Sequence, residues 1–84
     1  MNNKHRKTLK AILASPTSGA ILWSDIESLL IALGAEKREG EGSRVRFLYN
    51  QEMLNTHKSH PGKEAKKYQV EAVRDFLKLI GVKL

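Results

Sequence analysis

The chain has 84 residues, in which 15 Lys and Arg against 9 Asp and Glu give a formal net charge of +6, with a pI near 9.8. A hydrophobic content of 40% and a charged content of 29% are typical of a globular domain, and the absence of cysteine excludes disulfides, thiolate metal sites and a cysteine nucleophile. No apolar run approaches the roughly 20 residues of a membrane span, so we expect a cytoplasmic protein without membrane contact, and its positive charge favours a polyanionic partner.

Two amphipathic helices are predicted in the first half of the chain. Residues 3–14 place apolar side chains at the spacing of one helical face, and the other side is basic. The second helix is predicted over 25–33, where Ser24 and Glu27 have the spacing of a capping box. Trp23, just before this helix, is interpreted as a core residue rather than a base-stacking platform, because an aromatic beside an apolar run normally packs inward.

A β-hairpin follows a short charged edge strand. The edge strand starts after Ala35 and ends in a glycine-rich turn, and residues 43–49 then alternate between apolar and polar side chains, as in a half-buried strand. Asn50-Gln51 can form a tight turn, after which residues 52–57 return antiparallel. The hairpin thus supplies the second and third strands of a sheet.

The hairpin register decides which side chains share a face. With a two- or four-residue loop centred on Asn50-Gln51, Arg44 pairs with His57 and Arg46 pairs with Asn55, all four on one polar face. The opposite face is then apolar and turned toward the core. A three-residue loop would instead direct His57 toward the core.

A third helix is predicted over residues 66–80, whose apolar positions again have helical spacing. The element order is therefore α-α-β-β-β-α, and the simplest α+β fold is a three-stranded antiparallel sheet packed on one face by helices. The other sheet face is left free for a partner. No repeat or linker divides the chain, so residues 1–84 are expected to form a single domain.

Basic and histidine residues lie between the hairpin and the third helix. Lys63, Lys66 and Lys67 could hold a polyanion backbone near the helix N-terminus, although a solvated basic turn is an equal alternative. His60 could contact phosphate or act as a general acid, or be a simple turn residue. No metal site is expected, because His57 and His60 would point to opposite faces of a strand and no cysteine or acid pair completes a shell.

Several features resemble the HicA family, the small toxins of bacterial toxin-antitoxin modules. They are Trp23-Ser24 opening a helix, Leu30 and Gly34 ending it, Gly42-Ser43 starting a strand after a charged turn, and the C-terminal helix ending VRDFLKLIGV at 73–82. The resemblance covers residues 23–82, and residues 1–22 are similar to an added N-terminal helix and loop. It implies a double-stranded-RNA-binding-domain-like fold, cleavage of mRNA without a metal or other cofactor, and neutralisation by a HicB-type antitoxin.

The resemblance also implies a catalytic histidine that this chain lacks. The family pattern at the strand start is Gly-Ser-His, and this sequence has Gly42-Ser43-Arg44. Either the chain is a divergent or inactive member that keeps RNA or antitoxin binding, or another residue supplies the imidazole. The hairpin register offers His57, across from Arg44 on the same face.

The predicted catalytic residues are therefore His57, Arg44 and Arg46. Metal-free RNA cleavage needs a base to take the 2′-hydroxyl proton and fixed positive charge to stabilise the phosphorane-like transition state. The residues predicted to bind RNA are Ser43, Asn55, His60, Lys63, Lys66 and Lys67. The free protein is expected to be a monomer.

Two non-catalytic functions remain alternatives. An RNA-binding module would show salt-sensitive binding without cleavage. A protein-interaction domain would bind an antitoxin across the open sheet face without RNA affinity. A DNA-binding helix-turn-helix is disfavoured, because the nine residues from Ser15 to Trp23 far exceed its usual three- or four-residue turn.

Overall fold

Three helices and three strands follow one another in the predicted α-α-β-β-β-α order in a computed structural model, which describes residues 1–58 and 63–83. The elements are α1 (Asn3–Leu13), α2 (Trp23–Ala32), β1 (Glu36–Glu39), β2 (Arg44–Tyr49), β3 (Glu52–His57) and α3 (Lys67–Leu79). The strands form one antiparallel sheet in the order β1-β2-β3. The predicted fold class, α+β with a three-stranded antiparallel sheet, is confirmed.

One face of the sheet is buried beneath the helices. Val45, Phe47 and Leu54 on this face are at most 6% exposed, while their sequence neighbours on the strands are exposed or half-buried. The helices contribute Leu9, Ile12, Ile26, Leu29, Leu30, Val70, Val73, Phe76 and Leu77 to the same core. Alternation along the strands therefore places the polar face of the hairpin toward solvent.

Trp23 packs in this core, as its sequence position predicted. The residue is 7% exposed, and its ring centroid lies 6.4 Å from that of Phe47 at an interplanar angle of 59°. This separation is within the range in which tilted aromatic pairs attract. Trp23 is therefore buried away from any nucleic acid that binds the open side of the sheet.

The predicted capping box of α2 is wrong. The helix begins at Trp23, two residues before the predicted start, so that Ser24 lies inside its first turn, and Leu22 at the N-cap makes no side-chain cap. Instead, the Trp23 N–H donates to the Lys63 carbonyl at 2.9 Å, in a short antiparallel contact where Leu22 also pairs with Glu64. A main-chain partner from a distant segment thus satisfies a donor at the helix start.

The hairpin turn has two residues, Asn50 and Gln51, with φ angles of 47° and 69°. Positive φ at both central positions is the geometry that matches the twist of the flanking strands. The observed register pairs Arg44 with His57 and Arg46 with Asn55, which confirms the predicted pairing.

The N-terminal helix is fastened to α3 through Arg74. The guanidinium Nε donates to the Ile12 carbonyl at 2.9 Å, and Nη2 donates to the Ala14 carbonyl at 3.2 Å and to Thr17 Oγ1 at 3.0 Å. A cation at the C-terminal end of a helix satisfies carbonyls that lack partners within the helix and interacts favourably with the helix dipole.

Among the helices of the described residues, none combines the length and apolar character needed to cross a bilayer.

Candidate functional site

The sheet face that points away from the helices carries three rows of side chains, which we call the open face. Two rows take one residue from each strand, because β1 and β3 both pair with β2, and the remaining row takes Gly40, the residue just after β1, with one residue from β2 and one from β3. The rows are Gly40, Arg44 and His57; then Arg38, Arg46 and Asn55; then Glu36, Leu48 and Met53. Two rows are therefore polar and rich in arginine, and the third is largely apolar.

Arg44 and His57 are a closely spaced cross-strand pair. The Lys58 N–H donates to the Ser43 carbonyl at 2.8 Å, which makes Ser43 and Lys58 a hydrogen-bonded pair of the ladder. The adjacent pair of Arg44 and His57 is then non-hydrogen-bonded, with Cα atoms about 4.5 Å apart and side chains closer than in the other pair type. Both residues are exposed, so the guanidinium and the imidazole are available to one ligand.

A groove of about 590 Å³ lies over the two polar rows. Its lining includes Gly40, Arg44, Arg46, Asn55 and His57. The volume lies within the range of about 300 to 1,000 Å³ that is usual for small-ligand sites. Two guanidinium groups can each donate two parallel hydrogen bonds to a phosphate, and Asn55 adds an amide donor and acceptor.

Arg38 is an open-face residue that the sequence analysis missed. It lies opposite Arg46 in the β1–β2 ladder, and its Nε donates to Glu36 Oε2 at 2.6 Å. The signal that could have found it is the pairing of β1 with β2, which places Arg38 on the same face as Arg46. Its charge is partly offset by Glu36, and it does not line the groove, whose arginines are Arg44 and Arg46 and whose lining also includes Glu41.

An ion-pair cluster lies on the opposite side of the sheet, behind the arginine rows. Lys37 Nζ lies 3.1 Å from Glu27 Oε1 and 3.6 Å from Glu39 Oε1, and Lys58 pairs with Glu39. The hydrogen bond from Lys58, with the charges of Lys58 and Lys37, lowers the pKa of Glu39. The hydrogen bond to Glu27 is the main cause of a raised pKa for Lys37. This cluster ties β1 to α2 and to the end of β3 beside His57.

The remaining residues that were predicted to bind RNA lie outside the groove or outside the described residues. Ser43 is half-buried just before β2, and three exposed lysines lie before and at the start of α3: Lys63, Lys66 and Lys67. Their side chains do not line the groove. His60 lies outside the described residues. No group of three or more potential metal-ligating His, Cys, Asp or Glu side chains occurs within residues 1–58 and 63–83.

Gln69 connects the start of α3 to the site and was also missed by the sequence analysis. Its side-chain Nε2 donates to the His57 carbonyl at 2.6 Å, and its Oε1 accepts from the Lys66 N–H at 2.9 Å. The amide thereby brings the N-terminus of α3 against the end of β3.

Comparison with known proteins gives one match. A family model described as the HicA toxin of bacterial toxin-antitoxin systems matches residues 23–82, which leaves α1 and the following loop outside the matched region. Searches of curated proteins and of solved structures found no significant match.

Proposed function

This chain belongs to the HicA toxin family, whose model spans residues 23–82 of its 84 residues, and from that premise we propose that it binds mRNA on the open face and cleaves it. The observation that carries the proposal is the exposed pair of Arg44 and His57 beside Arg46 in one groove. An imidazole and two fixed positive charges on a rigid sheet are the groups that metal-free phosphodiester cleavage requires.

The proposed reaction is an attack by the ribose 2′-oxygen on the adjacent phosphate. His57 takes the 2′-hydroxyl proton while the bond from the 2′-oxygen to phosphorus forms. The bond from phosphorus to the 5′-oxygen breaks, and that oxygen takes a proton from solvent, which leaves a cyclic 2′,3′-phosphate and a free 5′-hydroxyl. Arg44 and Arg46 donate to the non-bridging oxygens and stabilise the added charge of the transition state.

The partners follow from the same proposal. Asn55 and Ser43 contact the RNA near the groove, and the lysines before and at the start of α3 hold its backbone, with a salt-dependent contribution to affinity. A HicB-type antitoxin neutralises the protein, and the free toxin is a monomer in the bacterial cytoplasm, where mRNA is available.

The test compares induced expression of the wild-type protein, His57→Ala and His5→Ala in bacteria. His5 is the matched control, because it is a half-buried histidine on α1 and not an open-face residue. We expect growth arrest and cut transcripts with the wild type and His5→Ala, and normal growth with His57→Ala. Purified protein should cut RNA in the presence of a chelator. Full activity of His57→Ala would rule out the relocated histidine.

A second candidate function rests on Arg44, which occupies the position of the histidine expected in the family. In this alternative the chain is an inactive member that binds RNA or its antitoxin without cutting. Purified wild-type protein would then bind RNA in a salt-sensitive way and leave it intact, or bind only the antitoxin. An Arg44→His variant that gains cleavage, over an inactive wild type, would favour this alternative.

A further inference from the structure

Gln69 is the most deeply buried polar residue in the described part of the chain, at 2% exposed. It occupies the third position of α3, where the helix meets the outer edge of β3. Burying a primary amide is costly unless its donors and acceptor are paired. Its hydrogen-bond partners therefore indicate why a glutamine stands at this position.

The geometry of the ladder explains one partner. In a non-hydrogen-bonded pair, the main-chain groups of each residue point away from the partner strand. The pair of Arg44 and His57 is of this type, so the His57 carbonyl points outward from the sheet edge. Gln69 Nε2 donates to this carbonyl at 2.6 Å.

The second partner lies just before α3. Gln69 Oε1 accepts from the Lys66 N–H at 2.9 Å, and Lys66 is the residue just before α3. One side chain therefore links the last residue of β3 to the residue before α3. His57 is the final residue of an edge strand, where main-chain pairing is weakest, and the bond from Gln69 adds a partner there.

We propose that Gln69 is a positioning residue for His57: its amide holds the main chain at the end of β3 so that the imidazole stays opposite Arg44. The inference rests on the proposed function for its catalytic consequence, and on the two hydrogen bonds for its structural content. Because a misplacement of about 1 Å can cost roughly 100-fold in rate, the bond matters more for turnover than for RNA affinity.

The test uses two substitutions that separate the two bonds. Gln69→Glu is nearly isosteric and retains an acceptor for the Lys66 N–H, but a carboxylate cannot donate to the His57 carbonyl. Gln69→Met keeps the size and removes both bonds. Thr8→Val is the control, because Thr8 is also buried and its hydroxyl donates to Lys4 O at 3.1 Å, within α1.

Four measurements decide the outcome: kcat and KM for RNA cleavage at several pH values, the NMR resonances of the His57 ring, hydrogen exchange of the Lys66 amide, and thermal unfolding. Both Gln69 variants should lower kcat by about 10- to 100-fold with little change in KM, alter the pH profile of kcat and move the His57 ring resonances. Gln69→Glu should keep the Lys66 amide protected, and Gln69→Met should expose it. Thr8→Val should lower only the thermal stability.

The inference fails if His57 resonances in both Gln69 variants match those of the wild type, or if kcat in these variants falls only in proportion to the folded fraction. The NMR arm is independent of activity. A wild-type protein that cuts no RNA would refute the proposed nuclease, while displaced His57 resonances in Gln69→Glu would still establish the positioning contact.

Discussion

Arg44 has His57 on one side and a residue without a side chain, Gly40, on the other. A Cβ built on Gly40 would lie 3.3 Å from the Arg44 Cβ, which is tighter than most side-chain contacts. Gly42 presents the other situation. Its φ of +63° is strained for residues other than glycine, but nothing lies within 4 Å of an added Cβ. A substitution of Gly40 therefore tests crowding beside Arg44, and a substitution of Gly42 tests backbone strain.

Gly40→Ala should therefore affect mainly the activity, and Gly42→Ala mainly the stability. Gly40→Ala should displace Arg44 by a few tenths of an ångström and lower kcat/KM by about three- to tenfold, with little loss of stability. Gly42→Ala should cost about 1 kcal/mol of unfolding free energy and leave cleavage by the folded protein unchanged. Urea unfolding and RNA cleavage measure the two effects. Equal losses of activity in both variants would contradict a specific role for the space beside Arg44.

The pairing of Arg44 with His57 could be predicted because a strand alternates with a period of two and a short turn sets the register. The type of the turn was harder to predict, since neither Asn50 nor Gln51 is a glycine, yet both adopt positive φ. The contact from Gln69 could not be predicted, because its partner His57 is 12 residues away and belongs to a different element. Local sequence patterns predict strand register, but they do not predict side-chain contacts between elements.

At the level of elements, the ion-pair cluster behind the sheet determines how β1 responds to pH. The lowered pKa of Glu39 means that the folded state favours its charged form, because Lys58 and Lys37 are adjacent. A carboxyl group of this kind contributes stability above its ordinary pKa of 4.5, and the contribution disappears as the pH falls through the lower pKa of the folded state.

Glu39→Gln should accordingly lower the melting temperature at pH 7, and the difference from the wild type should shrink below about pH 4.5 and vanish in stronger acid. High salt at pH 7 should also reduce the difference in melting temperature between Glu39→Gln and the wild type, since Glu39 is exposed and salt screens surface ion pairs. Glu41→Gln is the control, because Glu41 has no ion pair among the described residues. Thermal scans at several pH values give the answer, and a difference that persists unchanged in acid would contradict the assignment.

The start of α2 shows where element boundaries depend on tertiary structure. Ser24 and Glu27 have the spacing of a capping box, but the helix begins at Trp23. The Trp23 N–H finds the Lys63 carbonyl, and burial of the Trp23 ring against Phe47 fixes the chain entering the helix. A capping motif competes with such contacts and is overridden when a neighbouring segment supplies main-chain partners.

Across the whole molecule, α1 and the family region share one hydrophobic core. Leu9 and Ile12, which lie outside the matched residues, are at most 1% exposed, and Arg74 of α3 binds the carbonyl end of α1. That residues 1–84 form a single domain stays a prediction. The helix periodicity predicted α1 itself, whereas its docking depends on Arg74, whose target Ile12 is 62 residues away in sequence.

The chain has a net charge of +6, so RNA binding could reflect either the general positive field or particular contacts. The salt dependence of binding distinguishes them, because each lost phosphate contact on single-stranded RNA reduces the slope of log K against log salt by about 0.7. In a His57→Ala background, which should not cut RNA, we expect Arg44→Ala and Arg46→Ala each to reduce the slope by roughly this amount.

Arg6→Ala on α1 is the control for that experiment. It removes the same charge from an exposed position in the helical layer, away from the open face. If binding depends on the open face, the slope for Arg6→Ala should equal that of the parent, because the removed charge touches no phosphate. Fluorescence anisotropy with a short single-stranded RNA at several salt concentrations measures the slopes of the parent and the three arginine variants. Equal reductions for Arg6→Ala and Arg46→Ala would mean that the charge of the whole surface, and not the groove, binds the RNA.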